Sequence, residues 1–321
     1  MIEISRYEVQ GGVSEYHVMI HVDNPRLAYA EQVKSVLSAY TQLLEGELKG
    51  AVTVLKRFFL SDAANQSDYL QTLLVEQEAC PLSIVEQSPL NGTKIALWAY
   101  LQKGVELKAL SHGMYEVKHG AYRHLWMAGA CHETSDAEAQ TRQLFDDYIT
   151  LLREQGCTLA ENCLRTWFFV QNVDVNYAGV VKARNEVFAT QNLTNQTHFI
   201  ASTGIAGRHA NHHVSVLMDA YAVQGIRQEQ IRYLYAPTHL NPTYEYGVSF
   251  ERGTAVDYGD RRQVFISGTA SINNKGEVVH PGDICKQTLR MWENVEVLLA
   301  EAECTFEHVS HLIVYLRDVA D

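Results

Sequence analysis

One stretch of this sequence occurs twice, and that constrains the fold more than any other feature. Gln140-Thr141-Arg142-Gln143-Leu144 runs on to Cys157-Thr158-Leu159, and Gln287-Thr288-Leu289-Arg290-Met291 runs on to Cys304-Thr305-Phe306 with the same spacing. Upstream, Leu125-Trp126-Met127-Ala128-Gly129-Ala130 returns as Val264-Phe265-Ile266-Ser267-Gly268-Thr269, an apolar strand run ending in a small residue and glycine. A third copy lies at the front. Val33, Val36, Leu37, Tyr40, Leu43 and Leu44, closed by Gly46, match Leu144, Phe145, Tyr148, Leu151 and Leu152, closed by Gly156. Both are apolar stripes at helical spacing, and both glycines suit a left-handed C-terminal cap. Val52–Leu60 parallels Leu164–Val170 as a β-rich run, and Tyr69 opens a second helix in the first copy as Tyr177 does in the second. Such a chain is read as copies of one folding unit, with ligand sites falling between copies.

Each full copy reads as strand, strand, helix, strand, helix, strand. In the second copy the strands are Tyr115–Val117, His124–Ala128 and Leu164–Val170, with a last one over His212–Tyr221 after a loop from Ser202 to Gly207. Ser135 and Glu138 form a capping box ahead of the helix that ends at Gly156, and Tyr177–Phe188 is the next helix. The first copy ends in strands Ser83–Gln87 and Lys94–Trp98 around the turn Asn91-Gly92. Helices on one face of a mixed sheet make an α+β sandwich. The expected organisation is a first copy over 1–108, a second over 109–223, a linker over 224–247 holding Pro237 and Pro242, and a third copy over 248–321, incomplete at its C-terminus.

At 321 residues the chain suits two or three domains. With 46% hydrophobic and 20% charged residues it is globular and not disordered. A net charge of −12 argues against gripping nucleic acid by its phosphates. No run approaches the ~20 apolar residues of a membrane helix, and Met1-Ile2-Glu3-Ile4-Ser5-Arg6 lacks an apolar signal core. The six cysteines show no Cys-x-x-Cys spacing, so reduced thiols and a cytoplasmic location are expected. No metal or cofactor is expected. His209-Ala210-Asn211-His212-His213 has no carboxylate at ligand spacing and reads as a solvated loop, and His132-Glu133 lacks the second histidine of a zincin. Neither a phosphate loop nor a Gly-x-Ser-x-Gly elbow occurs. Cys157 and Cys304, at equivalent helix ends, fit a repeated packing role.

The third copy carries a resemblance. Val264-Phe265-Ile266-Ser267-Gly268-Thr269-Ala270, Gly282-Asp283, Gln287-Thr288, Asn294, Leu298-Leu299 and Val314-Tyr315-Leu316-Arg317-Asp318 resemble the Rid (YjgF) superfamily. That resemblance implies compact α+β units that form trimers with ligand pockets at subunit interfaces. Three copies in one chain then imply a pseudo-trimer, monomeric or further assembled as a homo-oligomer. Across the second and third copies, Arg165-Thr166-Trp167, Tyr177, Asn185, Ala201–Ile205 and Tyr246–Arg252 are similar to the chorismatases, a branch that hydrolyses or rearranges chorismate with loss of pyruvate. Rid deaminases carry an arginine after the second helix to hold the substrate carboxylate. Pro81-Leu82-Ser83 and Thr197-His198-Phe199 stand there instead, so neither copy resembles a deaminase site by itself. The resemblance also implies that the catalytic acid lies beyond Asp321.

The residues themselves suit a small anionic ligand. A dicarboxylate such as chorismate wants guanidinium forks and backbone N–H groups. Arg252 follows an aromatic-glycine turn and precedes a strand, where it is placed to face a cleft. Gly268-Thr269-Ala270-Ser271 leaves a strand with a small-residue backbone that a carboxylate can approach closely. Tyr246 offers a phenolic donor. Arg184, within Val181-Lys182-Ala183-Arg184-Asn185, is a further candidate on a run that reads more readily as a solvated helix face. Each has a structural alternative: an ion pair for Arg252, a bend for Gly268, core filling for Tyr246. Three functions stay open: a chorismatase-like enzyme acting on chorismate or a related enol ether with release of pyruvate, a Rid-type enamine or imine deaminase, and a non-catalytic metabolite-binding pseudo-trimer. In each, the partner is a small anionic metabolite bound between copies.

Overall fold

The computed structural model describes residues 1–9, 12–75, 77–134 and 136–321. The first sheet holds β1 (Ile2–Glu8), β2 (Ser14–His21), β3 (Val52–Leu60), β4 (Leu82–Glu86) and β5 (Ile95–Lys103) in the order β1-β2-β5-β3-β4. Helix α1 (Tyr29–Glu45) links β2 to β3, and α2 (Ala63–Leu74) links β3 to β4. The second sheet holds β6 (Leu107–Ala109), β7 (Met114–His119), β8 (Tyr122–Cys131), β9 (Cys163–Val170), β10 (Ala201–Ala206) and β11 (Val216–Gln224). Its helices are α3 (Ala137–Glu154), the short α4 (Leu159–Asn162) and α5 (Val173–Thr190). Beyond β6, the order β7-β8-β11-β9-β10 repeats the first sheet strand for strand. In each sheet the pair joined through the second long helix, β3–β4 or β9–β10, is parallel and the other neighbours are antiparallel. The third sheet has β12 (Ile231–Leu234), β13 (Gly253–Asp257) and β14 (Arg262–Ile266), followed by α6 (Ile284–Glu301). The architecture is α+β with mixed sheets, as the repeat implies.

Apolar periodicity explains how the layers close. The first sheet buries Val33, Val36 and Tyr40 of α1 against Phe58, Leu97 and Leu101, and the second buries Leu144, Phe145 and Tyr148 of α3 against Phe168, Met218 and Ala220. Alternate residues of the same strands enter a further cluster shared by all three sheets, with Leu55 and Trp98, Trp126 and Leu217, and Val256 and Phe265. Strands covered on both faces read as unbroken apolar runs, as Phe58–Leu60 and Phe168–Val170 do, and all six of those residues are buried.

The structure corrects several boundaries. Ser202–Gly207 is not a loop: Ala201–Ala206 is β10, parallel to β9. The final strand starts at Val216, after His212 and His213 in a turn. The helices expected to open at Tyr69 and Tyr177 begin at Ala63 and Val173, where the Asp62 side chain accepts from the Asn65 amide and Asn172 takes a left-handed conformation. Ser135 lies outside the described residues, and Asp136 is the residue that caps α3, accepting from the Ala139 amide at 2.8 Å. Gly156 has φ +70°, whereas Gly46 has φ −108° and is not a left-handed cap. The stretch 224–247 carries β12 and so begins the third sheet.

One side chain recurs at the same place in all three units. Gln32, Gln140 and Gln287 are each the fourth residue of their helix. Gln32 donates to Leu27 O at 2.9 Å and accepts from the Lys94 amide, immediately ahead of β5, at 2.8 Å. Gln140 donates to Thr134 O and His213 O and accepts from the Ser215 and Val216 amides at the start of β11. Gln287 donates to His280 O at 2.9 Å. In the first two units the glutamine thus staples the helix N-terminus to the central strand of its own sheet. Gln140→Ala leaves two carbonyls and two amides without these partners, and should lower unfolding free energy by about 2–4 kcal/mol in urea titrations.

Buried imidazole sets a pH limit on the shared core. His124 shares a hydrogen bond with the Tyr221 hydroxyl at 2.6 Å, and burial, aided by Arg261, pulls its pKa down to about 3. Since the unfolded chain takes up that proton near 6.5, stability is full above pH 6.5 and falls as pH drops towards 3. The slope per histidine is at most about 1.4 kcal/mol per pH unit. His124→Phe should flatten the pH dependence of the urea midpoint across this window.

Candidate functional site between the sheets

A cavity of about 1130 Å3 opens where the three sheets meet. Its walls carry six arginines (Arg6, Arg57, Arg165, Arg184, Arg261 and Arg262) against three carboxylates, Glu15, Glu303 and Glu307. An acidic protein therefore concentrates positive charge in this cleft, which favours an anionic occupant over the repulsion of the overall field.

Most of these cations are already neutralised. Arg261 pairs with Glu15 at 2.6 Å, Arg262 with Glu303 at 2.8 Å, and Arg6 with Glu47. Arg57 of β3 donates to Asp219 Oδ2 of β11 at 2.6 and 3.2 Å, both side chains being 1% exposed. The other oxygen of Asp219 accepts from the Gly129 amide at 2.7 Å. Between the first and second sheets, then, a carboxylate of the chain itself lies between an arginine and a glycine of strand β8, two residues before its end at Cys131.

The corresponding turn of the third unit, Gly268–Ser271, meets the second sheet differently. Gly268 lies against Thr203 of β10 and its amide points to Ser202 O at 3.4 Å. The amides of Thr269 and Ala270 make no hydrogen bond among the described residues. Arg165 of β9 donates to Thr203 Oγ1 at 2.5 Å, stacks on Trp167, and leaves Nη1 without a partner. Burial, with Arg57 close by, pushes the Arg165 guanidinium down to about 9. Arg184 of α5 is 1% exposed, lines the cavity beside Tyr177 and Phe250, and has neither Nε nor Nη2 hydrogen-bonded. Among the described residues, Arg165 and Arg184 are the cavity arginines with no carboxylate partner.

The expected site residues are partly brought together. Gly268, Thr269, Ala270, Ser271 and Arg184 all line the cavity, although the Ser271 hydroxyl is committed to Val279 O at 2.8 Å. Arg184 is not on a solvated face: it falls on the buried stripe of α5 with Val180, Ala183, Val187 and Phe188. Arg252 stands behind the cavity wall. It is 5% exposed and gives three N–H···O contacts to Asn241, at 2.8, 3.1 and 3.2 Å. Its guanidinium lies 5.3 Å from the Phe250 ring, whose other cationic neighbour is Arg184 at 5.9 Å. Tyr246 packs on Arg252 with its ring 46% exposed, and is not on the cavity wall. Arg165 was not among the candidates read from the sequence. An arginine inside the apolar run Leu164–Val170 was the available signal, because a buried cation on a strand must meet a partner. Among the described residues no group of three His, Cys, Asp or Glu side chains has metal-site geometry, and no helix is long and apolar enough to cross a membrane.

Residues 253–321 match the family described as Endoribonuclease L-PSP. No curated protein matches the chain in sequence. Among solved structures, a chorismatase superposes with a TM-score of 0.60, at 18% identity, over 92% of this chain and 79% of its own. The YjgF gene product of E. coli (20% identity, TM-score 0.30) covers 36% of this chain and 91% of its own. E. coli TdcF, solved with bound serine (13% identity, TM-score 0.30), covers 37% and 92%. The Rid-type C-terminal unit and the chorismatase-like fold expected from sequence are thus both found.

The Arg57–Asp219 pair offers a direct test of the electrostatics. Asp219→Ala leaves a buried, uncompensated guanidinium and should cost about 3–5 kcal/mol of stability. Added formate, small enough to take the carboxylate's place, should recover part of that loss in urea melts of the variant and none in the parent protein.

Proposed function

We propose that the chain binds a small dicarboxylate of the chorismate class between its second and third units, and that it acts there as a chorismatase-like enzyme releasing pyruvate. The observation that carries this reading is the pair Arg165 and Arg184, two buried guanidiniums without a carboxylate, facing a cavity beside the free amides of Thr269 and Ala270. A buried charged donor without a partner is costly, so such a pair favours an anion from solution. Two such groups match two carboxylates, and Tyr177, Phe250 and Phe265 supply flat apolar walls for a ring.

In the proposed reaction the enolpyruvyl methylene takes a proton and becomes a methyl group. Water adds to the resulting oxocarbenium carbon, and collapse of the hemiketal releases pyruvate and the ring alcohol, returning the proton. The arginines hold the carboxylates and orient the ether, a positioning role worth most in a water-poor site. No described carboxylate hydrogen-bonds to Arg165, Arg184 or the turn amides, so the proton donor stands outside this set.

Calorimetric titration with chorismate tests the binding. Arg184→Met should weaken it about 10- to 100-fold, the loss of a charged hydrogen bond, while Arg184→Lys keeps part of the affinity. A lactate dehydrogenase-coupled assay reads pyruvate. Chorismate binding without pyruvate favours the non-catalytic metabolite-binding pseudo-trimer, and no binding rejects the site.

A further inference from the structure

One imidazole stands at the meeting point of all three units, and neither it nor its carboxylate neighbour lines the cavity. His119 ends β7 in the second unit. Against it comes the turn Tyr258–Arg261, which joins β13 to β14 and is closed by the Tyr258 amide donating to Arg261 O at 2.9 Å. Gly259 takes φ +89° there, and its amide donates to Asp257 Oδ1 at 2.8 Å, so the turn is tight. Its two charged residues flank the ring. Arg261 Nη1 donates to His119 Nδ1 at 2.8 Å, and Asp260 Oδ2 lies 2.9 Å from Nε2. The same guanidinium reaches β2 of the first unit, where its Nε is 2.6 Å from Glu15 Oε1, a contact of charge because that N–H is not directed at the oxygen. It also donates from Nη1 to Asp260 Oδ1 at 3.2 Å. Side-chain exposure is 3% for Arg261 and 9% for Glu15, but 14% for His119 and 32% for Asp260, so solvent meets the cluster from the imidazole side.

We propose that His119 is a proton-operated joint: neutral, it locks the β13–β14 turn onto the second sheet, and protonated, it drives Arg261 away and frees the turn. The argument is one of hydrogen-bond direction. A guanidinium has no acceptor, so Nδ1 must be bare for Arg261 to donate to it, and the single ring proton sits on Nε2, facing Asp260. A second proton goes to Nδ1. Two N–H donors, both on cations, then meet where one hydrogen bond stood. The imidazolium keeps Asp260 as partner and Arg261 keeps Glu15, so the charges can re-pair apart from each other. Asp260 and Arg261 are neighbours in a tight turn, and one cannot withdraw from the ring while the other stays unless the turn shifts. Burial first, and then Arg261, hold the His119 pKa below its ordinary 6.5, while Asp260 and Glu15 push the other way. His124 of β8, its ring centre 6.3 Å from that of His119, is pulled down to about 3 and adds no charge near neutrality. Tyr122, opposite His119 in the β7–β8 register, and Tyr258, 4.7 Å beneath the Arg261 guanidinium, present phenol groups. Lys118 alternates to the other face of β7, with Nζ 3.7 Å from Glu116 Oε1. Because the unfolded chain protonates near 6.5 and the folded joint below it, the lock is complete above pH 6.5 and is lost as pH falls through the folded value.

Amide exchange read by mass spectrometry tests the joint with no ligand present, so its result stands apart from chorismate binding. Rates over residues 257–262 are compared at about pH 8 and about pH 5, either side of the ordinary imidazole value, after correction for intrinsic exchange. His119→Asn is the reference. It offers an acceptor close to the place of Nδ1, does not titrate, and retains the other buried imidazoles, His17, His124 and His311. From the higher to the lower pH, opening of the turn should rise about tenfold more in the native chain than in this variant, the loss of one charged hydrogen bond. His119→Lys, a cation at both pH values, should leave the turn open already at the higher one. An equal rise in the native chain and the asparagine variant overturns the proposal, and so does a turn as well protected in His119→Lys as in the native chain. Imidazole nitrogen shifts supply a check on the native chain alone: Nδ1 should be the bare nitrogen at the higher pH, and a ring that carries its proton there refutes the joint.

Discussion

The contact on which the assembly turns is the ion pair between Arg57 and Asp219. Arg57 sits on β3 of the first sheet and Asp219 on β11, the central strand of the second, and each is 1% exposed, so each sheet buries a charge that the other neutralises. Aromatic faces at 4.8–5.4 Å from the guanidinium carbon, those of Trp98, Trp167 and Phe169, surround it with negative ring density and exclude water. The carboxylate is further held by the Gly129 amide. Gly129 has φ +68°, and a Cβ there would sit 2.5 Å from Leu82 O, so β8 closes on the first sheet at this point only because the residue is glycine. Between the first and second sheets the place for an anion is consequently filled from within, and the open counterpart is left between the second and third.

Much of this arrangement was legible in the sequence, because a repeat fixes several things together. The doubled Gln-Thr and Cys-Thr segments located α3 and α6, and unbroken apolar runs located β3 and β9. The cysteines behave as a repeated structural detail: the Cys157 amide caps Leu152 O and the Cys304 amide caps Leu299 O, both at 2.8 Å. What escaped was polar sequence doing structural work. Ser202–Gly207 reads as a loop because its hydroxyls and glycines suggest solvent, but Ser202 bonds Thr166 and Ser267 while Thr203 bonds Arg165. A strand that faces a polar cavity cannot show apolar alternation.

The arginines show the same limit from the other side. Arg184 looked solvated beside Lys182, yet Val180, Ala183, Val187 and Phe188 place it on the helix stripe that packs inward. Spacing within the helix held the answer and local composition hid it. Arg252, singled out by its turn, proves to hold Asn241 and Phe250 in place, so that it supports the wall on whose far side Arg184 lies. No sequence pattern separates an arginine that fixes a loop from one that awaits an anion; the difference is whether its N–H groups are already used.

The internal symmetry accounts for one junction between units being closed and the other open. Asp219 occupies the position on β11 that Trp98 occupies on β5, each lying across from the middle of the neighbouring strand, Trp167 or Arg57. From there Asp219 reaches past its own sheet to the cation of the preceding one, while the Gly129 amide of β8 holds its other oxygen. At the junction of the second and third units, among the described residues no carboxylate takes the equivalent place beside Gly268, and Arg165 there keeps Nη1 without a partner.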